Sequence, residues 1–320
     1  MVALKLSMRL FLSAALIPGL LPFFHSSAYG STNRVEVSFI SEISTVTTID
    51  GDRNSFWLGV DMNIKRGWHV YWRNPGDSGL PTTVQWKEHP FFIPGEIHWP
   101  RPSRFDEDGI TTYGYSDRVT LLVPVRVSMD SIGVHFPDPD NSAMNAHNDQ
   151  DGVSEGSDYV LSANINWLVC KDICIPESAQ ISLPIDRAGR IDGFTEAGTA
   201  QLKRALNQVP VLVDDWKAHA VSGPGGLDLT LTPKSQNAVF PNLETVYFYP
   251  DTQGLIEHTA PQQAIRDGGG MVLKLQASRY LRSWPEQITG VLSAEDSWHN
   301  DRHLPAIEIV IPVSANNKAE

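Results

Sequence analysis

The sequence predicts an all-β protein built as two β-sandwich domains in series, with one short helix in the linker. Three observations carry this reading. Short alternating or β-branched runs recur along most of the 320 residues. Clusters of Gly, Pro, Asn and Asp separate them, and one segment only has helical spacing. Several short strands punctuated by turn residues favour sandwiches over a parallel sheet flanked by helices.

The first thirty residues stand apart from both domains. A cationic start (Lys5, Arg9) precedes an apolar run over residues 10–24, which Pro18 and Pro22 interrupt. Small residues follow, and Ala28-Tyr29-Gly30 fits the small-x-small cleavage rule. Residues 1–30 therefore read as a secretory signal peptide, with Ser31 as the mature start or, alternatively, a cut after Ala28. The run is too short to span a bilayer, and no other apolar run of about 18 residues exists. The mature chain is expected to be exported to a compartment where disulfides form and persist.

Residues 35–40 and 57–64 alternate in strand fashion, and residues 119–127, 159–169 and 179–185 are further strand-like runs. Turn clusters lie between them at residues 74–77 and 106–109. Together these place a first domain over residues 31–187. In residues 195–209, Ala200, Leu202, Ala205, Leu206 and Val209 lie near helical spacing, and Pro210 stops the pattern. Residues 188–210 are read as a linker with a short helix. Six more strand-like runs follow, at 211–221, 227–231, 245–249, 271–277, 288–293 and 307–313. They predict a second sandwich over residues 211–320, a length suited to one domain.

Charge narrows the function classes. The formal charge is −12, and removal of Lys5 and Arg9 with the signal makes it −14. That balance argues against nucleic acid or an anionic membrane surface as partner. Residues 138–158 are acid-rich and almost without apolar side chains, which reads as a solvated loop. Met144 and His147 among those carboxylates leave a metal-binding loop as the sharper alternative, although the spacing matches no calcium loop. There is no glycine-rich phosphate loop, no His-Glu-x-x-His and no Gly-x-Ser-x-Gly. His69, His89 and His98 lie near aromatic residues and read first as packing histidines. The nine tryptophans, among them Trp57, Trp68, Trp72, Trp86 and Trp99, read first as sandwich core. An aromatic carbohydrate-binding or peptide-binding module stays as a competitor.

The chemistry concentrates in the only two cysteines, Cys170 and Cys174, in Trp167-Leu168-Val169-Cys170-Lys171-Asp172-Ile173-Cys174-Ile175-Pro176. Such a pair either closes a small ring or coordinates something soft. A loop of about five residues is worth only about 2 kcal/mol as a cross-link, against about 3 for fifteen. A chain of this size buries a large core without such help. The spacing thus points to a pair kept for its reactivity, at a strand end or hairpin tip. An inert hairpin disulfide and a Cu(I) site on two thiolates are the alternatives. Lys171 would favour a thiolate and Asp172 would oppose it.

Three blocks carry a family resemblance. Gly67-Trp68-His69-Val70-Tyr71-Trp72-Arg73-Asn74-Pro75-Gly76-Asp77-Ser78-Gly79-Leu80-Pro81 resembles the first signature of the periplasmic amino-terminal domain of DsbD-like thiol:disulfide interchange proteins. Ile110-Thr111-Thr112-Tyr113-Gly114-Tyr115 with residues 119–127 resembles the next block, and residues 167–177 the cysteine block. The likeness covers roughly residues 33–187 and is nearest the branch that includes the ScsB proteins of copper-tolerance systems. The second half is similar, more weakly, to the additional sandwich of that longer branch.

The resemblance implies an immunoglobulin-like domain whose cysteines form a redox disulfide, Cys170–Cys174. These would take electrons from a thioredoxin-like or membrane electron-donor protein and pass them to oxidised periplasmic proteins. It implies Cys174 as the attacking thiol, Cys170 as the resolving one, and no cofactor or metal. It places Thr112, Tyr113 and Gly114 in a loop capping the disulfide, with Tyr71 lining the same site. The best-known members have five residues between the cysteines, whereas this chain has three. Full-length members also carry a membrane channel and a Cys-x-x-Cys domain that are not in this sequence, so another protein is expected to charge the pair. The competing reading is a non-enzymatic periplasmic binding or copper-handling protein with a structural disulfide.

Overall fold

Alternating side chains make the strands, and their apolar faces fold against each other in pairs of sheets. The computed structural model describes residues 30–31, 34–46, 55–128, 159–186 and 189–315. The predicted signal segment before Gly30 and the acidic stretch 138–158, with Met144 and His147, lie outside the described residues.

In the first sandwich, the strands in chain order are β1 (Gly30–Ser31), β2 (Val35–Ser41), β3 (Ser55–Ile64), β4 (His69–Gly76), β5 (Thr83–Trp86) and β6 (Phe92–Pro94). Then come β7 (Ser103–Glu107), β8 (Ile110–Ser116), β9 (Arg118–Val127), β10 (Tyr159–Cys170) and β11 (Cys174–Ile185). One sheet has the order β1-β2-β3-β9-β6; the other has the order β11-β10-β4-β8-β7, with β5 added beside β10. Val37, Val60, Met62 and Leu121 from the first sheet meet Trp72, Tyr113, Ile165 and Trp167 from the second in one buried cluster. This is the inward-facing alternation that two packed sheets require.

The helix α1 (Glu196–Leu206) begins where the sequence indicates: Thr195 is its N-cap, and its hydroxyl accepts from the Gly198 N–H at 3.0 Å. It is no loose tether. Leu202 and Ala205 are buried against Leu122, with Ile40 and Trp57 beside them, so the helix docks on the outer face of the first sheet.

The second sandwich comprises β12 (Val211–Leu212), β13 (Trp216–Gly223), β14 (Gly226–Pro233), β15 (Tyr247–Pro250), β16 (Gln263–Asp267), β17 (Gly270–Gln276), β18 (Gln287–Ser293) and β19 (Ala306–Ala315). The spatial order is β15-β18-β19-β13-β14-β17-β16, with β12 beside β19. The long strand β19 pairs antiparallel with β18 and parallel with β13, which carries it from one face of the sandwich to the other. Trp216, Leu229, Phe248, Leu273 and Trp298 fill the core.

The two sandwiches share a buried contact far from the helix. Strand β4 loses register between Tyr71 and Gly76, where Pro75 can donate no ladder hydrogen bond. That bulge turns the intervening residues toward the second sandwich. The Arg73 guanidinium pairs with Asp251 at 2.7 Å and with Glu308 at 3.4 Å. The buried Asn74 amide donates to the Pro250 carbonyl at 2.7 Å, and Arg101 donates to the Ala294 carbonyl at 2.8 Å. Tyr249, Val291 and Ala306 are packed into the first sandwich's own core cluster. The expectation that the domains meet near residues 188–210 is therefore incomplete. The turn read at residues 74–77 is the bulge that joins them.

Candidate functional site

Strands β10 and β11 form a hairpin whose last register pair is Cys170 opposite Cys174. Lys171, Asp172 and Ile173 make the tip, and the Lys171 N–H donates to the Ile173 carbonyl at 3.2 Å. Direct opposition brings the Cα atoms to 4.2 Å, and the sulfurs are bonded at 2.07 Å. The two cysteines differ in access for a topological reason. Cys170 is flanked on its other side by His69 of β4 and is 2% exposed. Cys174 lies on the edge strand β11 and is exposed.

A cavity of about 320 Å³ opens over the disulfide, walled chiefly by His69, Tyr71, Phe105 and Thr112, with Lys171 and Asp172 at its mouth. The Tyr71 hydroxyl lies 3.5 Å from Cys174 Sγ. Burial raises the pKa of this phenol, so it keeps its proton at neutral pH and is available to donate to a thiolate. Gly79, at φ 113°, lets the ring lie flat against the backbone: a Cβ there would come within 2.3 Å of the Tyr71 ring. The His69 ring stacks on Phe105 at 4.8 Å and meets Tyr71 edge-on at 5.1 Å. Burial lowers the His69 pKa, which keeps the imidazole neutral, and its Nε2 has no hydrogen-bond partner.

Strands β7 and β8 form the hairpin that walls the cavity opposite Cys170. Asp108 and Gly109, at φ 51° and 76°, make the two-residue turn with both dihedrals positive that suits a twisted hairpin. In this register Phe105 faces Thr112 and Arg104 faces Tyr113, and successive pairs point to opposite faces. Thr112 lines the disulfide cavity. Tyr113 does not: it is fully buried on the opposite face, where its hydroxyl lies 2.9 Å from that of Tyr247 and 2.8 Å from His258 Nδ1. Burial, reinforced by Tyr247, pushes the Tyr113 phenol far up, so it remains a neutral hydrogen-bonding group. Gly114 does not line the cavity either. A Cβ there would lie 2.0 Å from the Val70 carbonyl oxygen, so this glycine permits the close pairing of β4 with β8.

Of the three residues placed in the capping loop, Thr112 lines the cavity, Tyr113 points to the opposite face because adjacent strand residues alternate, and Gly114, on the face of Thr112, has no side chain to line it. Phe105 takes the place given to Tyr113. It was legible in principle: an Asp-Gly two-residue turn fixes Phe105 opposite Thr112. Among the remaining candidates, His89 packs on Phe92 at 4.8 Å, and His98 meets Trp57 at 5.0 Å. Trp72 and Trp167 are buried in the core. Among the described residues, no group of three or more His, Cys, Asp or Glu side chains could hold a metal ion, and no helix is long and apolar enough to cross a membrane.

Residues 36–185 match the family described as Thiol:disulfide interchange protein DsbD, N-terminal. The crystal structure of the N-terminal periplasmic domain of ScsB from Proteus mirabilis superposes with a TM-score of 0.55 at 18% identity, covering 88% of this chain and 94% of that one. At that identity the likeness is one of fold, and it extends over both sandwiches. BcpA, the major pilin subunit of Bacillus cereus, aligns at 8% identity with a TM-score of 0.17 over 89% of this chain and 70% of its own, too low to indicate a common fold. No curated protein matches the chain. Residues 36–185, which contain both cysteines and all the side chains that wall them, belong to the family of the N-terminal domain of the thiol:disulfide interchange protein DsbD.

Proposed function

We propose that this protein is a periplasmic thiol:disulfide exchange module that relays electrons through Cys170 and Cys174 between thioredoxin-like or membrane donors and oxidised periplasmic proteins. In this reading, residues 1–30 export the chain, residues 31–187 carry the redox site, 188–210 link, and 211–320 form the second domain. The observation that carries the proposal is the asymmetry of the pair: a bonded disulfide with Cys174 exposed on an edge strand and Cys170 buried behind it. Attack by a thiolate requires access to one sulfur and a stabilised leaving thiolate at the other.

The chemistry balances without a cofactor. A donor thiolate attacks Cys174 Sγ, the Cys170–Cys174 bond breaks, and Cys170 leaves as a thiolate that takes up a proton. The donor's second thiolate then displaces Cys174, so the donor becomes a disulfide and two electrons and two protons enter the pair. In the onward half, the Cys174 thiolate attacks the disulfide of an oxidised protein. Cys170 then displaces the product dithiol and re-forms the internal bond. Tyr71 donates to Cys174 Sγ whenever that sulfur carries charge.

Trapping tests this directly. Cys170→Ala leaves Cys174 unable to be displaced internally, so mixed disulfides with periplasmic proteins should accumulate on non-reducing gels. Cys174→Ala should accumulate none, because the remaining thiol is buried. Adducts from Cys174→Ala alone would exchange the two roles. If neither variant traps a partner and the native pair has a potential below about −300 mV, the disulfide is structural and the relay is wrong.

A further inference from the structure

The second sandwich has no cysteine, yet it reaches the redox site through the β7–β8 hairpin. The hairpin has two working faces. Phe105 and Thr112 face the disulfide cavity. On the other face, the Tyr113 hydroxyl lies within hydrogen-bond distance of Tyr247 and His258, and the Arg104 guanidinium sits 5.1 Å over the Tyr247 ring. The Tyr247 hydroxyl is itself tied to the His258 backbone carbonyl at 3.3 Å. Tyr249 adds an edge-on ring contact to Tyr113 at 4.9 Å. On the disulfide side, Phe105 stacks on His69, and His69 is the register partner of Cys170. The hairpin therefore joins two sets of contacts: Tyr247 and His258 hold Tyr113 on one face, and Phe105 on the other face packs on His69 beside the buried sulfur. β7 is the outer strand of its sheet, and β8 pairs with β4 through a ladder whose register shifts between Tyr71 and Gly76, so the grip on Tyr113 supplements an irregular ladder in fixing the hairpin's position.

We propose that Tyr247 and His258 are positioning residues for disulfide exchange: by gripping Tyr113 they hold the β7–β8 hairpin over Cys170 and leave Cys174 as the one sulfur a partner reaches. The second sandwich thus sets the regiochemistry of attack. This rests on the exchange reading above, but the hairpin's position is measurable without any partner.

The test uses the full chain with one thiol at a time. Iodoacetamide alkylation of Cys170 is timed in Cys174→Ser, and of Cys174 in Cys170→Ser, each with Tyr247→Phe or His258→Ala added. Loss of one neutral hydrogen bond from Tyr113 should raise the Cys170 rate about fivefold. The Cys174 rate should stay unchanged, and His258→Asn, which keeps a polar atom near the Nδ1 position, should restore slow Cys170 alkylation. A Cys170 rate that ignores both substitutions overturns the proposal. So does a parallel rise at both cysteines, which would report general loosening; thermal unfolding of each variant exposes that case independently. Selective release of Cys170 together with no trapped partner from Cys170→Ala would keep the hairpin grip and reject the relay.

Discussion

Tyr71→Phe isolates one atom of the site. The Tyr71 hydroxyl is 3.5 Å from Cys174 Sγ. Because burial raises the phenol's pKa, the group that meets a Cys174 thiolate is a donor and not a second anion. A hydrogen bond to a charged group is worth about 1.5–3 kcal/mol, and a long contact to a diffuse sulfur belongs at the lower end. About 1.4 kcal/mol corresponds to a tenfold ratio, so the variant should hold about a tenfold smaller thiolate fraction at neutral pH. A more basic thiolate is also more nucleophilic, which returns about threefold at a Brønsted slope of 0.4–0.5. The net expectation is alkylation of Cys174 slowed about threefold near pH 7, with the pH profile moved to higher pH. The assay is iodoacetamide alkylation against pH in the Cys170→Ser background, where Cys174 alone reports. An unmoved profile, or a faster reaction at neutral pH, would refute the claim that Tyr71 stabilises the thiolate.

Other perturbations follow from the same geometry. Phe105→Ala removes the ring stacked on His69 and opens the cavity wall, so a small dithiol should reduce the native disulfide faster; an unchanged rate would show that Phe105 shields nothing. Gly114→Ala forces a Cβ into the Val70 carbonyl and should cost about 3 kcal/mol in urea unfolding, with a wild-type midpoint counting against the close β4–β8 pairing. His69, His89 and His258 all have pKa values lowered by burial. The unfolded chain therefore binds protons that the folded one refuses, and their contribution to stability is lost as pH falls below about 6.5. A urea midpoint that rises on acidification from about pH 7.5 to about 5.5 would contradict this.

Much of the fold was legible because it depends on local periodicity. The alternation at residues 57–64 and 159–169 became strands β3 and β10, and the Thr195 cap with its helical spacing became α1. Strands β1, β4 to β8 and β16 were missed: β1, β5 and β6 are short, β4 and β6 contain Pro, β7 and β16 carry charge, and β4, β5 and β6 pair with strands distant in sequence. The cysteine pair was legible for a different reason. Two thiols with three residues between them need only a hairpin to meet, and the flanking apolar alternation supplied one.

By itself, then, the sequence determined the β character, the placement of the helix and the closeness of the two thiols at the end of a strand, since each rests on contacts within a few residues. Tertiary structure decided the rest. Which face of β8 meets the disulfide depends on register, so Thr112 lines the cavity while Tyr113 turns to Tyr247 and His258. Which sulfur is exposed depends on strand order, with β4 covering Cys170 and β11 left at the edge with Cys174. Side-chain periodicity along a strand shows that two faces exist; only the partners packed on each face decide which of them does the chemistry.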